Sequence, residues 1–122
     1  MSRSDGFVYI LHFHTPLATG RKSSAHYVGW SRHWAWRIGL HRAGAGARIM
    51  EVCADRGIGF DVATVAAVVT CRGRTYRGTA AERQIKRSHH IARYCPLCGG
   101  RGATDYRSAA QAADLEDHGH LR

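Results

Sequence analysis

Phe7-Val8-Tyr9-Ile10-Leu11, followed downstream by Tyr27-Val28-Gly29, is the stretch from which the fold is read. The first segment is β-branched and aromatic, so residues 7–14 are expected to form a strand. Residues 15–25 carry Pro16, Gly20 and Ser23-Ser24 among polar neighbours, the composition of a hairpin loop. Residues 26–30 then read as the returning strand. Two strands joined this closely are antiparallel.

Beyond the hairpin, Ser31 is placed to cap a helix over about 32–43. Trp34, Ile38 and His41 share one stripe of that helix, with Trp36 and Leu40 beside it. Ala43-Gly44-Ala45-Gly46 ends it. A shorter helix over 47–56 follows, with Ile49, Val52 and Cys53 on its apolar face. Residues 60–71 are the most hydrophobic run, and their valines and threonines favour a strand buried on both faces, hence a sheet centre. Arg72-Gly73-Arg74 reads as a turn, and a last helix is expected over 79–93 with Thr79 as its cap. The predicted order is β-β-α-α-β-α, an α+β class. One domain would occupy 1–98, leaving a Gly-rich, then Ala-rich and acidic tail over 99–122 that either frays or is partly helical.

The chain has 122 residues and 44% apolar content, enough for a single modest core. Its formal net charge is +9, and Lys22 and Lys86 are the only lysines among 18 basic residues. Arginine forks fit phosphate oxygens and stack on bases, so the charge points to a polyanionic partner, most simply nucleic acid. A GC-rich coding sequence would also yield an arginine-rich chain. The polar start, and an apolar run broken by His12 and His14, predict neither a secretory leader nor a membrane span. The expected location is cytoplasmic.

Five residues stand out as chemistry: Tyr9 and Tyr27 on neighbouring strands, Arg37 and His41 one helical turn apart, and Glu82 on the basic last helix. A phosphodiester transition state gathers charge on its nonbridging oxygens, which an arginine and a divalent cation both offset. A lone glutamate with waters and a substrate phosphate is an ordinary shell for Mg²⁺. Each residue taken alone has a plainer reading. The tyrosines serve as strand aromatics, Arg37 as one surface arginine, Glu82 as the partner of Lys86 at i,i+4, and His41 as a cation closing its helix.

In order and spacing, these residues resemble a GIY-YIG nuclease domain. Phe7-Val8-Tyr9 stands at the family's first motif and Tyr27-Val28-Gly29 at its second, with Arg37, His41 and Glu82 behind them. The likeness spans about residues 6–98. It is strongest to the small stand-alone bacterial members and the related structure-selective endonuclease domain, through His41-Arg42-Ala43-Gly44-Ala45-Gly46-Ala47-Arg48 and Ala81-Glu82-Arg83-Gln84-Ile85-Lys86-Arg87. The resemblance implies a three-stranded antiparallel sheet flanked by helices and a divalent-metal-dependent endonuclease hydrolysing DNA phosphodiester bonds; the sequence does not say whether RNA is also bound. It implies that Tyr9 and Tyr27 line the site, that Arg37 holds the scissile phosphate, that His41 contacts phosphate or relays a proton, and that Glu82 binds Mg²⁺ or Mn²⁺. Gly29, Arg42, Arg48 and Lys86 are the expected substrate-binding positions. The chain departs from the pattern at Phe7 and Trp30, and it contains no asparagine, a residue many members carry after the glutamate helix. The alternative is a catalytically inactive nucleic-acid-binding module of the same fold.

Cys95-Pro96-Leu97-Cys98-Gly99 has the form of a zinc knuckle, with His89 and His90 before it and His118 and His120 after. Zn²⁺ on Cys95, Cys98, His89 and His90 is one reading, and a turn closing the last helix is the other. Cys53 and Cys71 fall in expected core elements as small apolar fillers.

Overall fold

The computed structural model of the chain describes residues 6–19 and 22–100. Strands β1 (Phe7–Thr19) and β2 (Lys22–Ser31) come first, then helices α1 (Trp34–Arg42) and α2 (Arg48–Asp55). Strands β3 (Phe60–Ala66), β4 (Val68–Cys71) and β5 (Arg74–Arg77) follow, then α3 (Gly78–Ser88) and two 3₁₀ turns, Ile91–Tyr94 and Pro96–Cys98. A three-stranded antiparallel sheet in the order β2-β1-β3 is flanked by the helices, the α+β arrangement expected.

Because β1 is the middle strand, its alternating side chains serve two different layers. Tyr9, Leu11 and Phe13 face α1 and α2, where they join Trp34, Ile38, Met50 and Cys53 in one core. Val8 and Ile10 face the other way and pack with Val28, Val69, Ala81, Ile85, Tyr94 and Cys95. Residues 8–11 are all buried as a result, Leu11 completely.

The structure corrects several expectations. The hairpin loop over 15–25 is mostly strand: β1 continues to Thr19 and β2 starts at Lys22. Pro16 sits where the pairing register shifts between His12 and Leu17, and such an irregularity tolerates a residue with no N–H to offer. The run 60–71 is not one strand at the sheet centre. It breaks at Ala67 into β3, an edge strand, and β4, which pairs with β5 across the Arg72-Gly73 turn. Both turn residues have positive φ (52° and 76°), as a tight two-residue hairpin demands. The run reads as uniformly apolar because its residues enter both cores, Val65 one and Val69 the other.

Helix starts also differ. Ser31 ends β2, and its hydroxyl accepts the His33 N–H at 3.0 Å, ahead of a helix that begins only at Trp34. Thr79 lies inside α3, with extended Arg77 at the cap position. That helix stops at Ser88 because His89 adopts a left-handed conformation (φ 56°), so the stretch expected to be helical up to 93 becomes a 3₁₀ turn. The tail over 99–122 lies outside the described residues from position 101 on, as do His118 and His120. Among the described residues, no helix is long and apolar enough to cross a membrane.

Truncation at the centre of β1 should be costly. Leu11→Ala is expected to lower the unfolding free energy by about 2–5 kcal/mol, whereas Trp36→Ala, at a 62% exposed residue, should change it by less than about 1 kcal/mol. Urea titrations followed by far-ultraviolet circular dichroism measure both.

Candidate functional site

Tyr9 projects from the middle strand toward α1, and its hydroxyl lies 2.8 Å from His41 Nε2. The other ring nitrogen, Nδ1, lies 3.0 Å from the Ala45 carbonyl oxygen, which can only accept. Nδ1 therefore carries the ring proton, and Nε2 accepts the hydrogen of the Tyr9 hydroxyl. The Arg37 guanidinium stands near enough to the same phenol to favour its ionised form. Arg37 is itself anchored by donation from Nη2 to the Gly46 carbonyl at 2.8 Å. Gly46 has φ +87°, and a Cβ there would press on the His41 ring and the Arg37 guanidinium. The glycine-rich segment after α1 is thus the back wall that holds both side chains.

Tyr27 completes this group. Its ring meets His41 edge-on at a centroid distance of 5.2 Å and lies 6.4 Å from the Tyr9 ring. Gly29 pairs with Tyr9 across the sheet, and a Cβ at that position would collide with the Tyr9 ring and hydroxyl. Glycine on the outer strand lets the Tyr9 phenol lie across β2 toward the sheet edge. Tyr9 and His41 are buried, while Tyr27 and Arg37 are half-buried, so the latter two form the outward surface of the group.

Burial holds the Tyr9 phenol well above the usual tyrosine range. The Tyr27 phenol adds to that rise, and Arg37 opposes it. Burial likewise pushes the His41 imidazole below its ordinary value; the Ala45 hydrogen bond opposes this and the Arg37 charge adds to it. At neutral pH the pair is a neutral phenol donating to a neutral imidazole.

Glu82 lies on α3, the helix covering the opposite face of the sheet. Its charge reaches Tyr9 as a small upward influence, and its carboxylate pairs with Lys86 at 3.4 Å. With Trp30, Arg83, Lys86, Arg87 and His89 it lines an open cavity of about 590 Å³. The remaining expected substrate contacts are engaged elsewhere. Arg42 lies over the Phe60 ring, 4.5 Å from its centroid, and Arg48 pairs with Glu51 at 3.2 Å. Of the residues expected to meet, the structure brings Tyr9, Tyr27, Gly29, Arg37 and His41 into one group, whereas Glu82 lies apart from them with Lys86, in a basic cavity on the α3 side.

A second polar cluster lies at the other end of the hairpin, on the α3 side. His12, His26, Cys95 and Cys98 bring one nitrogen or sulfur each to within 4.8 Å of one another, a group able to hold a metal ion. Its donors suit zinc better than magnesium. The histidines expected beside the cysteines are thus replaced. His89 and His90 are exposed and line a neighbouring cleft of about 480 Å³. His12 and His26 escaped the reading because they stand some seventy or more residues from the cysteines. The hairpin register was the available signal: pairing Tyr9 with Gly29 sets His12 opposite His26. Cys53 is a free, buried thiol in the α1–α2 core, as expected of a filler.

Comparison of the chain with protein-family models, curated proteins and solved structures returns no match.

The depressed His41 fixes the sign of one pH effect. Its folded value lies below the unfolded value of about 6.5, so the unfolded chain binds more protons between the two. The stability gained from a neutral His41 is complete above that unfolded value and is lost as pH falls through the folded one. The urea midpoint should fall between about pH 7.5 and about pH 5, and His41→Gln should flatten part of that slope.

Proposed function

We propose that this protein is a divalent-metal-dependent endonuclease that hydrolyses DNA phosphodiester bonds. The observation that carries the reading is one group of side chains: Tyr9 bonded to His41, Arg37 anchored to the Gly46 carbonyl beside them, and Tyr27 edge-on to the His41 ring. The resemblance of Phe7-Val8-Tyr9, Tyr27-Val28-Gly29 and the residues behind them to a GIY-YIG nuclease domain supports the same reading, and the net charge of +9 suits a polyanionic substrate.

The side chains divide the work by burial. Arg37, half-buried and anchored to the Gly46 carbonyl, presents its guanidinium to a phosphate. Tyr9 stays a phenol, since burial opposes its ionisation and His41 holds its hydrogen. It positions rather than deprotonates, which leaves the half-exposed Tyr27 phenol to orient the attacking water. Glu82 is an oxygen donor in a cavity roomy enough for a hydrated ion, and so fits Mg²⁺ or Mn²⁺. Such an ion would supply charge neutralisation at the scissile phosphate. Arg83, Lys86 and Arg87 continue the positive surface along α3, and Trp30 offers a ring face beside them.

Incubating the purified chain with linear, flapped and branched DNA in Mg²⁺ or Mn²⁺ tests the reading. Arg37→Ala should lower the cleavage rate by about 10²–10³-fold and Tyr27→Phe by at least about 10²-fold. Glu82→Ala should abolish the response to metal while circular dichroism stays unchanged. Cleavage at the parental rate by Glu82→Ala would overturn the assignment. Salt-sensitive DNA binding with no product in either metal would leave the inactive binding module in its place.

A further inference from the structure

We infer that His12, His26, Cys95 and Cys98 form a tetrahedral zinc site that fastens the C-terminal segment to the β1–β2 hairpin. The distances match such a site before any ion is considered. Zinc with about 2.05 Å to nitrogen and about 2.3 Å to sulfur spans tetrahedral edges of about 3.3 Å between nitrogens and about 3.6 Å between nitrogen and sulfur. The structure has His12 Nδ1 and His26 Nε2 3.2 Å apart, His12 Nδ1 3.6 Å from each sulfur, and His26 Nε2 3.4 Å from Cys98 Sγ.

Hydrogen bonding alone does not explain this packing. His12 Nδ1 has three polar atoms within reach, His26 Nε2 and both sulfurs, yet one ring nitrogen either donates a single hydrogen or accepts through a single lone pair. A cation at the centre uses all four donors at once. Two imidazoles and two thiolates are also the donor set zinc takes in closed structural sites.

The backbone is shaped for the same purpose. His12 and His26 are direct cross-strand partners, so both leave the hairpin on one face. The Cys98 N–H donates to the Cys95 carbonyl at 3.0 Å and Gly99 turns at φ +78°, which brings the second thiol round beside the first. Both cysteines are free thiols.

The site joins residues 83 and 86 positions apart in sequence from His12. Its role is to fasten the segment after α3 to the hairpin, because Cys95 sits at the junction of the two 3₁₀ turns that come after that helix and Cys98 in the second of them. Zinc content is read without any cleavage assay, so this inference and the nuclease reading fail separately.

The test is metal analysis of the reduced full-length chain, with zinc-edge X-ray absorption. One zinc per chain is expected, with two sulfur and two nitrogen neighbours. His26→Ala and Cys98→Ser should lose the stoichiometric metal, and the His89→Ala, His90→Ala double variant should keep it. Chelation should lower the melting temperature by about 10 °C or more, restored by zinc and not by magnesium. Full zinc occupancy in a His12→Ala, His26→Ala double variant would overturn the site. So would a wild-type shell without two sulfurs and two nitrogens, a reading that holds even if the variants fail to fold. A reduced wild-type chain that takes up no zinc sinks it as well.

Discussion

In an extended strand consecutive side chains leave on opposite faces, and β1 is the strand on which this molecule is hung. It lies between β2 and β3, so neither of its faces meets solvent over residues 8–11. One row, Tyr9, Leu11 and Phe13, belongs to the α1–α2 layer; the other, Val8 and Ile10, belongs to α3. A one-residue slip in pairing would exchange the rows and bury every wrong side chain. The same pleat assigns the two polar groups to their layers. Tyr9 meets His41 on one side, and His12, two residues beyond Ile10 in its row, meets Cys95 and Cys98 on the other.

Burial decides the chemistry available on the Tyr9 side. An exposed tyrosine beside an arginine would ionise more readily; the same tyrosine sealed under Gly29 and α1 does not, because desolvation outweighs the guanidinium. His41 is constrained in the same sense, and the Ala45 carbonyl fixes its tautomer. The result is a rigid, neutral donor–acceptor pair behind two half-exposed groups. That division of labour follows from which residues the sheet covers, not from their identities.

The class of fold was legible in the sequence because its signals are local. Phe7–Leu11 is too β-branched and aromatic for anything but a strand, and Gly44 and Gly46 interrupt α1 where expected. Tyr9, Tyr27, Arg37 and His41 were legible through spacing, since strand pairing and one helical turn are short-range geometry. What escaped reading depends on partners far away. The apolar run over 60–71 carries no mark at Ala67 to say that its halves enter different sheets. Pro16 resembles a loop residue unless the register shift that accommodates it is known. His12 looked like a break in an apolar run and His26 like an ordinary residue of the returning strand, and only a three-dimensional register makes them neighbours of Cys95.

The α3 helix links the two polar groups mechanically. Its first turns carry Glu82, whose charge reaches Tyr9, and its last residues run into the turns that bear Cys95 and Cys98. Buried contacts hold one side of α3 through Ala81 and Ile85. Two side chains on a helix of 11 residues resist sliding along the sheet poorly, because apolar contact is non-directional. A bond-like anchor just beyond the C-terminus does resist it. Fixing the end of α3 to His12 and His26 therefore restricts where Glu82 can stand relative to Arg37 and Tyr27. On this view the soft-donor cluster bears on the proposed function through α3, because it holds the helix that carries Glu82.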